Sequence, residues 1–258
     1  SAAGRRRGTA GSTAKGSVMF AHRHVARVTI EARTPLSVGS GTAGIGTDND
    51  VVRDASGLPA IPGTSLAGVL RARFADTHPE EEVDELFGFQ SQKEGQRSRV
   101  LVSWATVHDR SNRPVEPLVQ PRVIREDPVL RAVAELVTRD HVRLSHRGVV
   151  DGRGKFDRSS VMAGARFTFE IEVEGDDGDA ELLTELVGLL AAPDTGLGAR
   201  TRSGLGSIKV VQWSAASFHL ASLPDLERYA ALPTAMSDAA PMLASRDLTF
   251  PERGHHLG

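Results

Sequence analysis

Residues 166–191 read RFTFEIEVEGDDGDAELLTELVGLLA, and the hydrophobic period changes halfway along them. Phe167, Phe169, Ile171 and Val173 alternate with Arg166, Thr168, Glu170 and Glu172, the period of two that marks a half-buried strand. From Asp179 onward Leu183, Leu186, Val187 and Leu190 fall on one face of a helix running to Ala191, and Pro193 stops it. Downstream, Ile208 and Val210 mark a closing strand after a glycine-rich loop. Upstream, a strand is expected near Arg99 to Thr106. A helix is expected from about residue 64, where Leu66, Val69, Leu70 and Phe74 share a face behind Pro62-Gly63. The first strand is Ala26, Val28, Ile30 and Ala32 alternating with Arg27, Thr29 and Glu31. Strand, helix, strand, repeated once, predicts an α+β fold of the ferredoxin-like (RRM-like) kind, an antiparallel sheet with its helices on one face.

Composition bounds the function. The 258 residues hold 31 basic and 33 acidic side chains, a formal charge of −2, so no global positive field announces a nucleic-acid partner. Only Lys15, Lys93, Lys155 and Lys209 are lysine, however. The other basic residues are arginine, which grips phosphate bidentately and is also what GC-rich coding favours. With no cysteine there are no disulfides, no thiolate zinc sites and no cysteine nucleophile, as expected in a reducing cytoplasm. No apolar run is long enough for a membrane helix, and no membrane partner is expected. Residues 1–18 form a basic segment of small residues, expected to be a flexible tail, tag or linker. One domain is expected over 19–213, and 214–258 read as a C-terminal arm on a neighbour or a linker.

Three segments have the residues for chemistry. Gly39 to Gly46 contains GxGxxG, but Thr47-Asp48-Asn49-Asp50 and then Pro59 and Pro62 follow where a dinucleotide fold needs a helix, so a loop presenting a carboxylate fits better. A solvated turn is the plain alternative. Pro62-Gly63-Thr64-Ser65 opens a helix with two hydroxyls at its start and Arg71 and Arg73 beyond. That arrangement suits a phosphate backbone, and helix capping alone also explains the hydroxyls. Gly196 to Gly206 sets Arg200 and Arg202 among four glycines, which let a backbone approach a ligand closely. Without a Gly-Lys-Ser/Thr ending it is not a nucleoside triphosphate loop.

Taken together, Ile45-Gly46-Thr47-Asp48-Asn49-Asp50-Val51-Val52-Arg53-Asp54, the run Leu58 to Leu66 through Leu70-Arg71, and the late Gly-Leu-Gly…Arg-Ser-Gly-Leu-Gly loop resemble the RAMP superfamily. The resemblance covers about residues 25–213 and is greatest to backbone subunits of type III CRISPR effector complexes. It implies an RRM-like palm with glycine-rich loops and an inserted thumb hairpin, here about residues 139–166. It implies binding along a guide CRISPR RNA beside neighbouring backbone and other subunits, and cleavage of complementary target RNA by metal-dependent transesterification. The family's loop aspartate falls on Asp48, with Asp50 as the alternative carboxylate and Mg2+ or Mn2+ as the implied ion, Asp48 its possible ligand. RNA contacts are expected from Thr64, Ser65, Arg71, Arg147, Phe156, Arg200 and Arg202, while Ala67 stands where the family commonly has a lysine. Two other readings of the same fold are a non-catalytic RNA-binding scaffold and a guide-precursor processing endoribonuclease, the latter drawing on His22, His24, His141 or His146. The acidic stretches Glu170 to Glu185 and Asp76 to Glu85 are expected to face outward or toward basic partner surfaces.

Overall fold

A computed structural model describes residues 20–38, 51–91, 94–116, 118–135, 137–144, 150–198 and 204–250, the backbone alone over 137–144 and 150–158. In chain order its elements are β1 (His22–Ala32), β2 (Ala60–Ile61), α1 (Gly63–Ala75), α2 (Glu80–Phe87), β3 (Phe89–Gln90), β4 (Gly95–Gln96), β5 (Val100–Val102) and β6 (Ala105–Val107). They continue with α3 (Pro121–Glu126), α4 (Pro128–Ala134), β7 (Val137–Leu144), β8 (Val150–Ser160), β9 (Arg166–Gly175), α5 (Asp179–Ala191), β10 (Ile208–His219), α6 (Leu223–Ala230) and β11 (Ala244–Ser245). Mixed α/β architecture around an antiparallel sheet is therefore what the alternating periods build.

β9 and β1 form the centre of the sheet, paired antiparallel from His22 opposite Gly175 to Glu31 opposite Arg166. β10 lies on the far side of β1, with a register shift between Thr29 and Ile30, and β5 and β6 pair with the free side of β9. β7 and β8 form a separate two-stranded hairpin, His141 opposite Phe156, that begins at Val137, two residues ahead of the expected thumb interval. Helix α5 packs on β1, β9 and β10, and α1 on β5 and α5. The core lies between these helices and the sheet: Val28, Ile30, Phe167, Phe169 and Ile171 meet Leu66, Leu70, Leu186 and Leu190, all buried. Each such side chain withdraws apolar surface worth about 2 kcal/mol.

The opposite sheet face is a ladder of cross-strand ion pairs. Arg23 bonds Glu172 and Glu174, each at 3.2 Å; Arg27 bonds Glu170 at 2.8 Å; Glu31 takes Arg166 at 2.8 Å and Lys209 at 2.7 Å. This corrects the expectation for Glu170 to Glu185, because the acids of β9 turn to this chain's own arginines. Arg97 also reaches Glu174, and Arg99 reaches Asp179 at the start of α5.

The expected boundary at residue 213 falls inside β10, which continues to His219, and the chain beyond folds back on its own sheet. β11 pairs with Ser214 and Ala215 of β10. Val25, Phe218 and Leu243 are buried together against Tyr229, Leu232 and Met242. Arg27 also donates to the Asp238 carbonyl at 2.6 Å. Small residues hide this strand's period, since Ser214, Ala216 and Phe218 face one way and Trp213, Ala215 and Ser217 the other.

Tyr229, the chain's one tyrosine, donates to both oxygens of Glu172 at 3.0 and 2.9 Å. Burial, then the adjacent carboxylate, pushes its phenol up to about 12, and burial likewise raises the Glu172 carboxyl above its ordinary range. A spectrophotometric titration therefore reports one group without background. Tyrosinate absorbance is expected near pH 12 in the native chain and to move toward the ordinary value of about 10 in Glu172→Gln. A native titration already near 10 would contradict this docking of α6.

Candidate nucleic-acid interface

A short stretch after β1, Thr34 to Val38, holds the roots of every segment singled out in the sequence. The Pro35 carbonyl accepts from Gly206 N–H at 3.0 Å, and Thr34 Oγ1 accepts from Ser207 N–H at 3.0 Å. Leu36 exchanges both backbone bonds with Val161, at 3.0 and 2.8 Å, directly after β8. The Ser37 hydroxyl donates to the Ser159 carbonyl, and the Val38 carbonyl accepts from Val52 N–H at 3.0 Å. So the glycine-arginine loop, the descending strand of the hairpin, and both ends of the 39–50 segment all start from five consecutive residues.

Two more connections close the arrangement. The Val52 carbonyl accepts from Ala60 N–H, which places the run into α1 beside the same root. Asp54 Oδ1 accepts from Ser56 and Leu58 N–H at 2.8 and 2.9 Å, the side-chain-closed turn that reverses this run. Arg53 donates to the Ala134 carbonyl at 3.2 Å, and Ala134 ends α4 just before the hairpin's ascending strand. The hairpin is thus held at both feet, by Arg53 on one side and by Leu36 and Ser37 on the other.

Two glycines allow the close approaches. A Cβ on Gly63 would lie 2.0 Å from the Val102 carbonyl oxygen, so the start of α1 rests directly on β5. Gly198 adopts φ +86°, and its Cβ would lie 2.3 Å from the Ser37 carbonyl oxygen. Only a residue without Cβ fits either place.

The expected site residues divide. Thr64 is exposed and Ser65 half-buried on the first turn of α1, and neither caps it: Pro62 is the N-cap and the Ser65 N–H bonds its carbonyl. Their hydroxyls therefore remain available to a ligand. Arg71 is engaged, donating to Asp84 at 2.6 Å and to the Gly88 carbonyl, so it fastens α2 to α1. Asp48, Asp50, Arg147, Arg200 and Arg202 lie outside the described residues, as does the Phe156 side chain. Among the histidines, His24 is fully buried with both ring nitrogens bonded, Nδ1 to Ser217 Oγ at 2.8 Å and Nε2 to the Asp176 carbonyl at 2.6 Å. His22 stacks on His219 with ring centres 4.5 Å apart. His141 and His146 side chains lie outside the described residues.

A buried polar chain was not legible in the sequence. Thr29 bonds Thr168 at 2.7 Å, and Thr168 bonds His108 Nε2 at 2.7 Å. His108 Nδ1 meets Asn112 Oδ1 at 3.0 Å. Burial lowers the His108 pKa, so the imidazole is neutral near pH 7 and serves to fix the turn after β6. Among the described residues no three His, Asp or Glu side chains gather to hold a metal ion. No helix among them is long and apolar enough to cross a membrane.

The RAMP superfamily model matches residues 29–209, from β1 through the root stretch and the hairpin into β10. The chain belongs to the RAMP superfamily. This RAMP chain is 28% identical over 192 residues to the CRISPR system Cms endoribonuclease Csm3 of Methanocaldococcus jannaschii, covering 70% of its own length and 75% of that protein. Two cryo-EM structures share its fold. A chain of the Type III-B Cmr-beta bound to cognate target RNA superposes with TM-score 0.52 at 16% identity, over 75% of this chain and 60% of the other. A chain of Type III-B Cmr-beta in the apo state gives TM-score 0.52 at 12% identity, over 72% and 96%.

Proposed function

We propose that this RAMP chain is a backbone subunit of a type III CRISPR effector complex, binding guide CRISPR RNA beside neighbouring subunits and cutting complementary target RNA. The observation that carries the reading is the common root at Thr34 to Val38. An aspartate-bearing loop, a basic hairpin and an arginine-glycine loop have their feet within one stretch, which is the placement a single RNA path requires. The sheet order β10-β1-β9-β5/β6, with α1 and α5 as the two crossovers, supports the reading of a ferredoxin-like palm. Its open face is not the RNA platform used by RRM domains, because ion pairs and the 220–247 segment occupy it. RNA therefore belongs on the loop side. The likeness to an endoribonuclease named Csm3 supports the cutting role.

In this reading Thr64 and Ser65 hold guide phosphate at the start of α1, with Arg147, Arg200 and Arg202 adding charge. Phe156 wedges against a displaced base and aligns the target's 2′-hydroxyl with the adjacent phosphorus. Asp48 takes the hydroxyl proton as the 2′-oxygen bonds to phosphorus. The bond to the 5′-oxygen breaks, that oxygen is protonated by solvent, and a 2′,3′-cyclic phosphate remains. Asp48 and Asp50 are hard oxygen donors of the kind Mg2+ or Mn2+ accepts, and one carboxylate suffices for an ion that keeps most of its waters. Such an ion, when bound, steadies charge on the phosphate. The experiment is assembly on guide RNA followed by challenge with complementary RNA, comparing carboxylate variants at Asp48 and Asp50.

A further inference from the structure

The ion-pair ladder on the open sheet face changes character along its length. Toward the end where β1 begins, one arginine serves two acids, Arg23 lying 3.2 Å from both Glu172 and Glu174. At the root end the ratio inverts. Glu31 stands opposite Arg166 of β9 and Lys209 of β10, and takes Arg166 Nε on Oε2 at 2.8 Å and Lys209 Nζ on Oε1 at 2.7 Å. Its side chain is 16% exposed against 37% for Arg166 and 41% for Lys209, so the carboxylate lies beneath and the cations outside. The hydrogen bond from Lys209, joined by that from Arg166 against the opposing effect of burial, holds the Glu31 carboxyl below its usual range. Glu31 therefore stays ionised and keeps both cations in place.

Donors remain on the outer side. Arg166 engages Glu31 through Nε and Lys209 through one of its three N–H bonds, and among the described residues neither Nη of Arg166 has a partner. Arg33 is exposed, and its guanidinium has no partner among the described residues. Asp109 follows His108 at this end of the sheet. Its carboxylate accepts from Ser111 and Arg113 N–H at 2.8 and 3.0 Å and lies 3.6 Å from the Arg113 guanidinium, so it is engaged within its own turn. Three cations thus share one carboxylate, and an arriving anion relieves their repulsion.

Each of the three stands at the foot of a loop-side segment. Arg33 directly precedes Thr34, and its backbone N–H donates to the Ser207 carbonyl at 2.8 Å. Lys209 follows Ser207 by two residues, where the arginine-glycine loop enters β10. Arg166 follows Ala165, whose carbonyl accepts from Ala32 N–H at 2.9 Å, where the chain returns from the hairpin.

We propose that Arg33, Arg166 and Lys209 form a phosphodiester-binding seat for guide RNA at the root end of the sheet, with Glu31 positioning two of the cations. The proposal rests on the guide-RNA reading above, and it supplies cations that Arg71, held by Asp84, does not. These groups meet phosphate oxygens and not base edges, so the seat adds affinity without sequence preference.

The test measures affinity of the full chain for a guide-length single-stranded RNA across a salt series. The neutral variant E31Q/R33Q/R166Q/K209Q exchanges the acid and the cations together, so no charge is left without its partner, and melting curves check that it is folded. Losing three phosphate contacts is expected to lower its slope of log affinity against log salt by about two, and its affinity near 0.15 M salt at least about tenfold. R33Q alone breaks no ion pair and is expected to lower the slope by about 0.7, which decides the matter if the neutral variant does not fold. R33K/R166K keeps every charge and is expected to keep the wild-type slope. An unchanged slope in the folded neutral variant, or in R33Q where that variant does not fold, overturns the proposal. So does a slope lost equally in R33K/R166K, which makes the effect one of sheet geometry and not of charge. A wild type whose RNA binding is weak and insensitive to salt overturns the guide-RNA reading itself, whatever the variants do.

Discussion

Gly63→Ala lowers the melting temperature by about 10 °C. The added methyl carbon meets the Val102 carbonyl oxygen at 2.0 Å and the Ser103 carbonyl oxygen at 2.9 Å. Both belong to backbone in or next to a strand that is itself paired with β9, so neither yields without breaking the ladder. Overpacking of this kind costs about 3 kcal/mol or more. In a domain of this size each kcal/mol is worth roughly 2–4 °C. Gly68→Ala is the matched control on the same helix. Its Cβ would meet nothing within 4 Å, so replacing glycine by alanine inside the helix stabilises by up to about 1 kcal/mol. Thermal unfolding of the pair reads both signs at once, and equal melting points would contradict the seating of α1 on β5.

The second large effect is expected in RNA binding. Gly198→Ala forces a side chain into φ +86° and brings its Cβ within 2.3 Å of the Ser37 carbonyl oxygen, so the base of the arginine-glycine loop must leave the root stretch. Left-handed backbone alone costs a residue with Cβ about 1–2 kcal/mol, and the collision adds to it. Gly204→Ala, at the other end of the loop with φ +81° and open space around it, bears the backbone cost without the collision. Loss of the two loop arginines from the RNA path is worth at least about tenfold in guide affinity for Gly198→Ala. Gly204→Ala is expected to stay near wild type. Equal guide affinity in the two variants would show that the root stretch does not organise the RNA path.

The main elements were legible because each is amphipathic at its own period. The Phe167 to Val173 alternation and the Leu183 to Leu190 stripe needed no partner to be recognised, and the β1 and α1 patterns behave alike. The tail of β10 was not legible, since Ala215, Ala216 and Ser217 are small on both faces and its burial comes from a segment that returns some thirty residues later. Arg71 read as a phosphate contact because its partner, Asp84, lies across a turn on another helix. Thr34 to Val38 has no signature of its own. It becomes the organising stretch only through backbone bonds to residues 52, 161 and 206. The RAMP motifs lie apart from the root stretch in sequence, and the folded chain shows why their order matters less than their shared root.

The most direct test of the central claim is guided cleavage. Wild type, Asp48→Ala and Asp50→Ala are assembled on guide RNA with magnesium and given complementary RNA. Wild type is expected to cut, and Asp48→Ala to hold guide and target normally while cutting at least about 100-fold more slowly, the usual worth of a positioned acid–base group. Undiminished cutting by Asp48→Ala at every site, or a wild type that retains no guide RNA, would contradict the account.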